Sequence, residues 1–74
     1  MKLRVLFFAA LREQMKLSQA DYEFDNDATP SSVAKQLFGF DSSLLFAVND
    51  EVVPRDHELR DGDVLAFIPP VAGG

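Results

Sequence analysis

Gly73 and Gly74, at the end of the sequence, are the residues whose type and position point most directly to chemistry. Glycine lacks a Cβ, so a partner's backbone can close tightly around two consecutive glycines. From Pro69 to Gly74 an extended chain spans about 20 Å, at roughly 3.3–3.6 Å per residue. We therefore expect residues 69–74 to form a tail whose terminal carboxylate, on Gly74, is the reactive group and enters a partner's active site.

The side chains that lead to this carboxylate become smaller along Pro70, Val71 and Ala72, as a narrow tunnel would require. A carboxylate is a poor electrophile, and adenylation by ATP is the usual way to activate it. The sequence contains no phosphate-binding glycine loop, so we expect no bound cofactor and assign ATP to a separate activating enzyme. The alternative is a chain end that finishes in two glycines by chance, at odds of roughly 0.5% for about 7% glycine usage.

The composition argues against several classes of function. The 74 residues carry a net charge of −5, which disfavours binding to nucleic acid or to anionic membranes. The chain has no cysteine, which excludes disulfides and thiolate chemistry and fits a cytoplasmic location. Its single histidine, His57, cannot form a metal cluster alone and is expected in a surface loop. The longest apolar runs are far shorter than the roughly 20 residues of a membrane span.

The N-terminal segment has the alternation of a half-buried strand. In residues 2–8, Leu3, Val5 and Phe7 alternate with polar side chains and are expected to face the core. The same alternation places Leu6 and Phe8 on the outer face, where a partner could cover them. A short helix is expected over residues 9–17, followed by a strand over residues 21–24.

One helix has clear signals at both ends. Thr29 is a good N-cap, Pro30 suits the first helical position, and Gly39 suits the left-handed position that follows a helix. These residues predict a helix over residues 30–38. The acidic segment at residues 25–27 lacks the spacing of a calcium loop and is expected to be a solvated turn.

The second half of the chain reads as three strands, at residues 44–48, 51–53 and 64–68, with turn signals at Asn49-Asp50 and Asp61-Gly62. The order of two strands, a helix, a hairpin and a final strand predicts an α+β fold of the ubiquitin-like β-grasp type. The first and last strands should pair centrally under the long helix. Residues 1–68 are then the domain and residues 69–74 its tail.

With these elements in place, the sequence resembles the small subunit of molybdopterin synthase, a ubiquitin-like sulfur carrier, over nearly its whole length. The segments that carry the resemblance are residues 5–9, 11–13, 47–49 and 61–63, Leu59, and above all Phe67-Ile68-Pro69-Pro70-Val71-Ala72-Gly73-Gly74.

The resemblance implies that an E1-like enzyme adenylates Gly74 and that a sulfur donor converts it to a thiocarboxylate. The large synthase subunit then uses the sulfur to convert cyclic pyranopterin monophosphate into the molybdopterin dithiolene. The carrier would be no enzyme by itself, because the large subunit supplies the catalytic residues, and the complex would be a heterotetramer. Val53-Pro54-Arg55 is also similar to thiamine sulfur carriers, and a ubiquitin-like protein modifier is a further alternative.

A docking surface beside the tail is expected from the strand pattern. Phe8 shares a face with Leu6, and Ile68 lies on the outward face of the last strand. If these two strands are neighbours, their outer side chains form one apolar patch. We assign the partner interface to Phe8, Leu6, Ile68 and Val52. Arg12 is expected to be a rim charge, that is, a charged side chain at the edge of this interface.

Overall fold

The computed structural model describes residues 1–70, which form two helices and one five-stranded sheet. The elements in chain order are β1 (Lys2–Phe7), α1 (Ala9–Met15), β2 (Gln19–Glu23), α2 (Pro30–Phe38), β3 (Leu45–Val48), β4 (Glu51–Val53) and β5 (Val64–Ile68). The predicted α+β fold is confirmed. Val71, Ala72, Gly73 and Gly74, which carry the predicted tail chemistry, lie outside the described residues.

The first and last strands pair at the centre of the sheet, whose order is β2-β1-β5-β3-β4. β1 and β5 run parallel, with Val5 opposite Leu65 and Phe7 opposite Phe67. β2 adds to β1 and β3 adds to β5, both antiparallel, and β4 completes the β3 hairpin. The expected central pairing is therefore confirmed.

The core lies between α2 and one face of this sheet. Leu3, Val5 and Phe7 are at most 2% exposed, as their alternation predicts. Phe38, at the end of α2, packs edge-on against two sheet aromatics, with ring centroids 5.9 Å from Phe7 and 5.2 Å from Phe67. This packing fixes the helix across the central strand pair.

Both predicted ends of α2 are confirmed. The Thr29 hydroxyl accepts from the backbone N–H of Ser32 at 3.2 Å, and the Ser32 hydroxyl accepts from the backbone N–H of Thr29 at 2.9 Å. This reciprocal capping satisfies two N–H groups that the helix cannot pair itself. Gly39 ends the helix with a φ of 84° and donates its N–H to the carbonyl of Lys35.

The first helix is shorter than expected. It ends at Met15, because Lys16 adopts the left-handed conformation with a φ of 58° and interrupts the hydrogen-bond pattern. Leu17 lies beyond it and is 44% exposed.

The expected turn between β3 and β4 is present. Asn49 and Asp50 have φ values of 51° and 71°, as a tight hairpin turn requires.

Within residues 1–70, neither helix is long and apolar enough to cross a membrane. The same residues contain no group of three or more His, Asp or Glu side chains placed to hold a metal ion.

The helix cap provides a direct test of the fold. Gly39→Ala should lower the free energy of unfolding by about 1–2 kcal/mol, because the left-handed conformation is strained for a residue with a Cβ. An added Cβ would have no atom within 4 Å, so steric overlap makes no contribution. Urea unfolding measures the loss. Gly39→Asn is the control and should recover part of it, since asparagine tolerates this conformation; wild-type stability for the alanine variant would contradict the assignment.

Candidate functional site

The face of the sheet opposite α2 carries a continuous apolar surface. One row crosses four strands, because Leu6 pairs with Ala66, Ala66 with Ala47, and Ala47 with Val52. Beside it, Ile68 pairs with Leu45. We call this surface the outer apolar face and define it by Leu6, Phe8, Leu45, Ala47, Val52, Ala66 and Ile68.

Short side chains form the middle of the outer apolar face, and larger side chains project around them. Ala47 and Ala66 are each 8% exposed although no described element covers them, because larger neighbours shield these short side chains. The surrounding Val52, Leu45 and Phe8 are 71%, 56% and 44% exposed. Single exposed apolar side chains are ordinary, whereas a contiguous group of them marks an interaction surface.

The chain leaves the sheet at the edge of this face. Ile68 is the last residue of β5, and Pro69 and Pro70 follow it. Proline has no N–H to donate, so it cannot extend the ladder with the neighbouring strands. Pro70 is exposed. Pro69 therefore directly follows a residue of the outer apolar face.

Next to the outer apolar face, the same side of β1 and β2 carries charged side chains. Lys2 lies opposite Glu23 and Arg4 opposite Asp21. Arg4 Nε donates to Asp21 Oδ1 at 2.9 Å, and this hydrogen bond lowers the pKa of Asp21 and raises the pKa of Arg4. Both side chains are more than half exposed, so the pair adds little stability. The apolar surface therefore ends where these pairs begin.

The structure brings together four of the five residues assigned to the interface from sequence. Phe8, Leu6, Ile68 and Val52 belong to the outer apolar face, and Leu6 and Ile68 are half-buried there. Arg12 is exposed on α1 and takes part in none of the ion pairs found within residues 1–70. Its role as a rim charge remains a prediction.

Sequence reasoning missed Leu45 and Ala47. Residues 44–48 are apolar without interruption, a pattern that indicates one buried strand with no outward face. In the structure Phe46 and Val48 enter the core, while Leu45 points away from it and is 56% exposed. The residue types at positions 44–48 do not by themselves show which of these side chains face outward.

One cleft within residues 1–70, of about 400 Å³, is lined by Val48, Asn49, Glu51, Val53, His57, Glu58, Arg60 and Asp63. His57 is half-buried there, in the connection between β4 and β5, rather than on a freely solvated loop. None of the residues that line it belongs to the outer apolar face. A contiguous exposed apolar surface of this kind is typical of a protein-docking site.

Comparison with known proteins gives the family. The sequence profile of the ThiS family matches residues 5–74. This chain belongs to the ThiS family. The molybdopterin synthase sulfur carrier subunit of Escherichia coli (strain K12) is 40% identical over 80 residues, covering 97% of this chain and 99% of the relative. The resemblance noted from the sequence is thereby confirmed.

Solved structures agree with the fold. SAMP1 from Haloferax volcanii superimposes with a TM-score of 0.82 at 24% identity over the whole of both chains, a likeness that supports the fold alone. A chain in the complex of subunits 1 and 2 of the molybdopterin-converting factor from Helicobacter pylori matches with a TM-score of 0.61 at 25% identity, again over both whole chains. The ubiquitin-like β-grasp assignment is confirmed.

The two faces of the sheet can be distinguished with one substitution. Val52→Thr should change the free energy of unfolding by less than about 0.5 kcal/mol, because its hydroxyl meets water. The same change at the fully buried Val5 should cost about 1–3 kcal/mol, since the hydroxyl enters an apolar core. Urea unfolding of the two variants measures both; equal losses would mean that Val52 is not on a free face.

Proposed function

We propose that this chain is the sulfur carrier subunit of molybdopterin synthase and that its reactive group is the carboxylate of Gly74. The observation that carries the proposal is the match, over nearly the whole chain, to the ThiS family and to a relative named for this role. The outer apolar face beside the start of the tail gives the proposal a structural basis, since a carrier needs a surface by which partner enzymes hold it.

The proposed chemistry has two activating steps. The carboxylate of Gly74 attacks ATP, forming an acyl adenylate and releasing pyrophosphate. A persulfide of the sulfur donor then displaces AMP and forms an acyl disulfide. A thiol attacks the donor's own sulfur in that acyl disulfide, so that a disulfide forms on the donor side and the terminus is released as a thiocarboxylate. Gly73, Ala72, Val71 and Pro70 have small or rigid side chains that allow the tail to enter a narrow site.

The thiocarboxylate then donates its sulfur to cyclic pyranopterin monophosphate, which becomes the molybdopterin dithiolene. Because a dithiolene contains two sulfur atoms, two loaded carriers are consumed for each product. The sulfur carrier contributes the tail and the docking surface, and the large subunit contributes the catalytic residues, so the carrier is not an enzyme by itself.

Three partners follow from this proposal: an E1-like adenylating enzyme, a sulfurtransferase as sulfur donor, and the large synthase subunit. The Helicobacter pylori complex, which joins subunits 1 and 2 of the molybdopterin-converting factor, supports the last of these. We propose a heterotetramer of two large subunits and two carriers, acting in the cytoplasm. ATP is used by the adenylating enzyme and is not bound by this chain.

Intact mass spectrometry tests the carrier chemistry. After incubation with the adenylating enzyme, ATP and a sulfur source, the chain should gain the mass of one sulfur in place of one oxygen. A chain lacking Gly74 is the control and should gain no mass. Its terminal carboxylate would be on Gly73, one residue short of the reactive position in the active site of the adenylating enzyme. An unchanged wild-type mass with active partners would rule the proposal out.

The same reaction separates the alternatives. A protein modifier would produce conjugates of higher mass, in which the carboxyl of Gly74 forms an amide with a lysine amine. A thiamine-pathway carrier would form the same thiocarboxylate but would not support dithiolene formation when mixed with the large subunit and cyclic pyranopterin monophosphate. Product formation in that mixture therefore decides the pathway.

The docking surface is tested separately. Val52→Asp and Leu45→Asp should each weaken binding to the large synthase subunit by at least about 30-fold, the size expected for a central interface residue that loses an apolar contact and buries a charge. Gln36→Asp, on the exposed side of α2, adds the same charge on the opposite side of the sheet and should bind like wild type. Calorimetry measures the affinities; equal weakening by all three variants would point to net charge instead of a docking face.

A further inference from the structure

Three side chains from three separate segments meet at the carboxylate of Asp41. Asp41 lies in the connection between α2 and β3, Ser31 lies in the first turn of α2, and Arg55 lies in the connection between β4 and β5. The Ser31 hydroxyl and the Arg55 guanidinium both donate to Asp41 Oδ2. Arg55 also donates to the Ser31 hydroxyl at 3.1 Å, and the Ser31 N–H donates to the Arg55 carbonyl at 2.9 Å.

This cluster differs from the surface ion pair of Arg4 and Asp21. The Asp41 side chain is only 12% exposed, against 65% for Asp21. The Ser31 hydroxyl bond lowers the pKa of Asp41, and the nearby charges of Arg55 and Lys35 lower it further, while partial burial acts in the opposite direction. Asp41 therefore stays ionised at neutral pH and keeps its hydrogen bonds charge-assisted, which makes them stronger than neutral ones.

Besides Asp41, the connection is held by the buried Leu44 and by Phe40, whose ring centroid lies 6.1 Å from that of Phe38. Leu44 is buried in the core, but Ser42 and Ser43 are exposed, and Ser43 has a φ of 65°, a left-handed conformation that is costly for a residue with a Cβ. Directly after Leu44, the connection becomes β3 with Leu45 as its first residue, opposite Ile68. The connection therefore leads directly into the outer apolar face at Leu45.

We propose that Asp41 is a positioning residue, which through Ser31 and Arg55 holds the α2–β3 connection so that Leu45 stays packed beside Ile68. The cluster itself lies away from the outer apolar face and need not touch a partner. Its consequence for docking rests on the proposed function, but its effect on local structure does not.

Hydrogen exchange of the free chain tests the local effect. Asp41→Asn should raise exchange roughly tenfold or more at residues 44–46 and Ile68, the factor expected when a charge-assisted hydrogen bond is lost, while the β1–β2 pair keeps wild-type rates. Asp21→Asn is the matched control, because it removes a carboxylate that also pairs with an arginine, and it should leave residues 44–46 unchanged. Unchanged exchange in Asp41→Asn, or a uniform rise throughout the sheet, would overturn the proposal.

The pH dependence of the Leu45 methyl resonances gives a second test of the role of Asp41. Because the pKa of Asp41 is lowered in the folded state, its contribution is present above the ordinary aspartate pKa of about 3.9 and is lost as the pH falls through the lowered value. The methyl resonances of Leu45 should follow that titration in the wild type and in Asp21→Asn, and should show no such step in Asp41→Asn. A step that persists in Asp41→Asn would assign the transition to another group and refute the role of Asp41.

Binding to the large synthase subunit tests the consequence. If the wild type binds, Asp41→Asn should weaken the affinity several-fold at neutral pH, chiefly through faster dissociation. Wild-type affinity in a variant with loosened residues 44–46 would refute the link from Asp41 to docking. If the wild type itself does not bind, the proposed function fails, and the exchange and titration results still decide whether Asp41 positions Leu45.

Discussion

The parallel pairing of β1 with β5 is the constraint on which the rest of the molecule depends. It joins the two ends of the described chain, so every other element must fit into the connection between them. The pairing places Phe7 beside Phe67, both nearly inaccessible to solvent, and α2 closes over that pair through Phe38. Pairing two segments that are so far apart in the sequence restricts the long chain between them. This restriction costs conformational entropy, which core burial must offset.

The same pairing has a consequence on the opposite face. Parallel strands in register end at the same edge of the sheet, so the end of β1 and the end of β5 lie side by side. Phe8 directly follows β1, and Pro69 directly follows β5. The outer apolar face and the start of the segment after β5 are adjacent because one strand pair positions both.

Part of this structure could be predicted from residues that are close together in the sequence. The helix at residues 30–38 was predicted to the residue, because Thr29, Pro30 and Gly39 each act through the backbone of their immediate neighbours. The early end of α1 was not predictable in this way. Lys16 takes the left-handed conformation that glycine or asparagine usually signals, so its side chain gave no indication.

The outer apolar face was predictable only in part, for a physical reason. β1 alternates polar and apolar residues, so the outward position of Leu6 could be derived from the strand itself. β3 is apolar throughout, and which of its side chains face outward depends on the register with β5. Leu45 and Ala47 were therefore missed, although Val52, one strand further out, could be placed on this face. The Asp41 cluster could not be foreseen either, since its three members are separated by 10 to 24 positions in the chain.

Under the proposed function, recognition and reaction are carried by different parts of the chain. Gly73 and Gly74 offer a partner little side-chain surface, so binding energy must come mainly from the folded part. Burying an exposed side chain such as Leu45 or Val52 contributes about 1.5–3 kcal/mol each. A face of several such side chains can hold a partner firmly without binding energy from the glycines. Under the proposed function, the partner's own residues then determine what happens to the carboxylate.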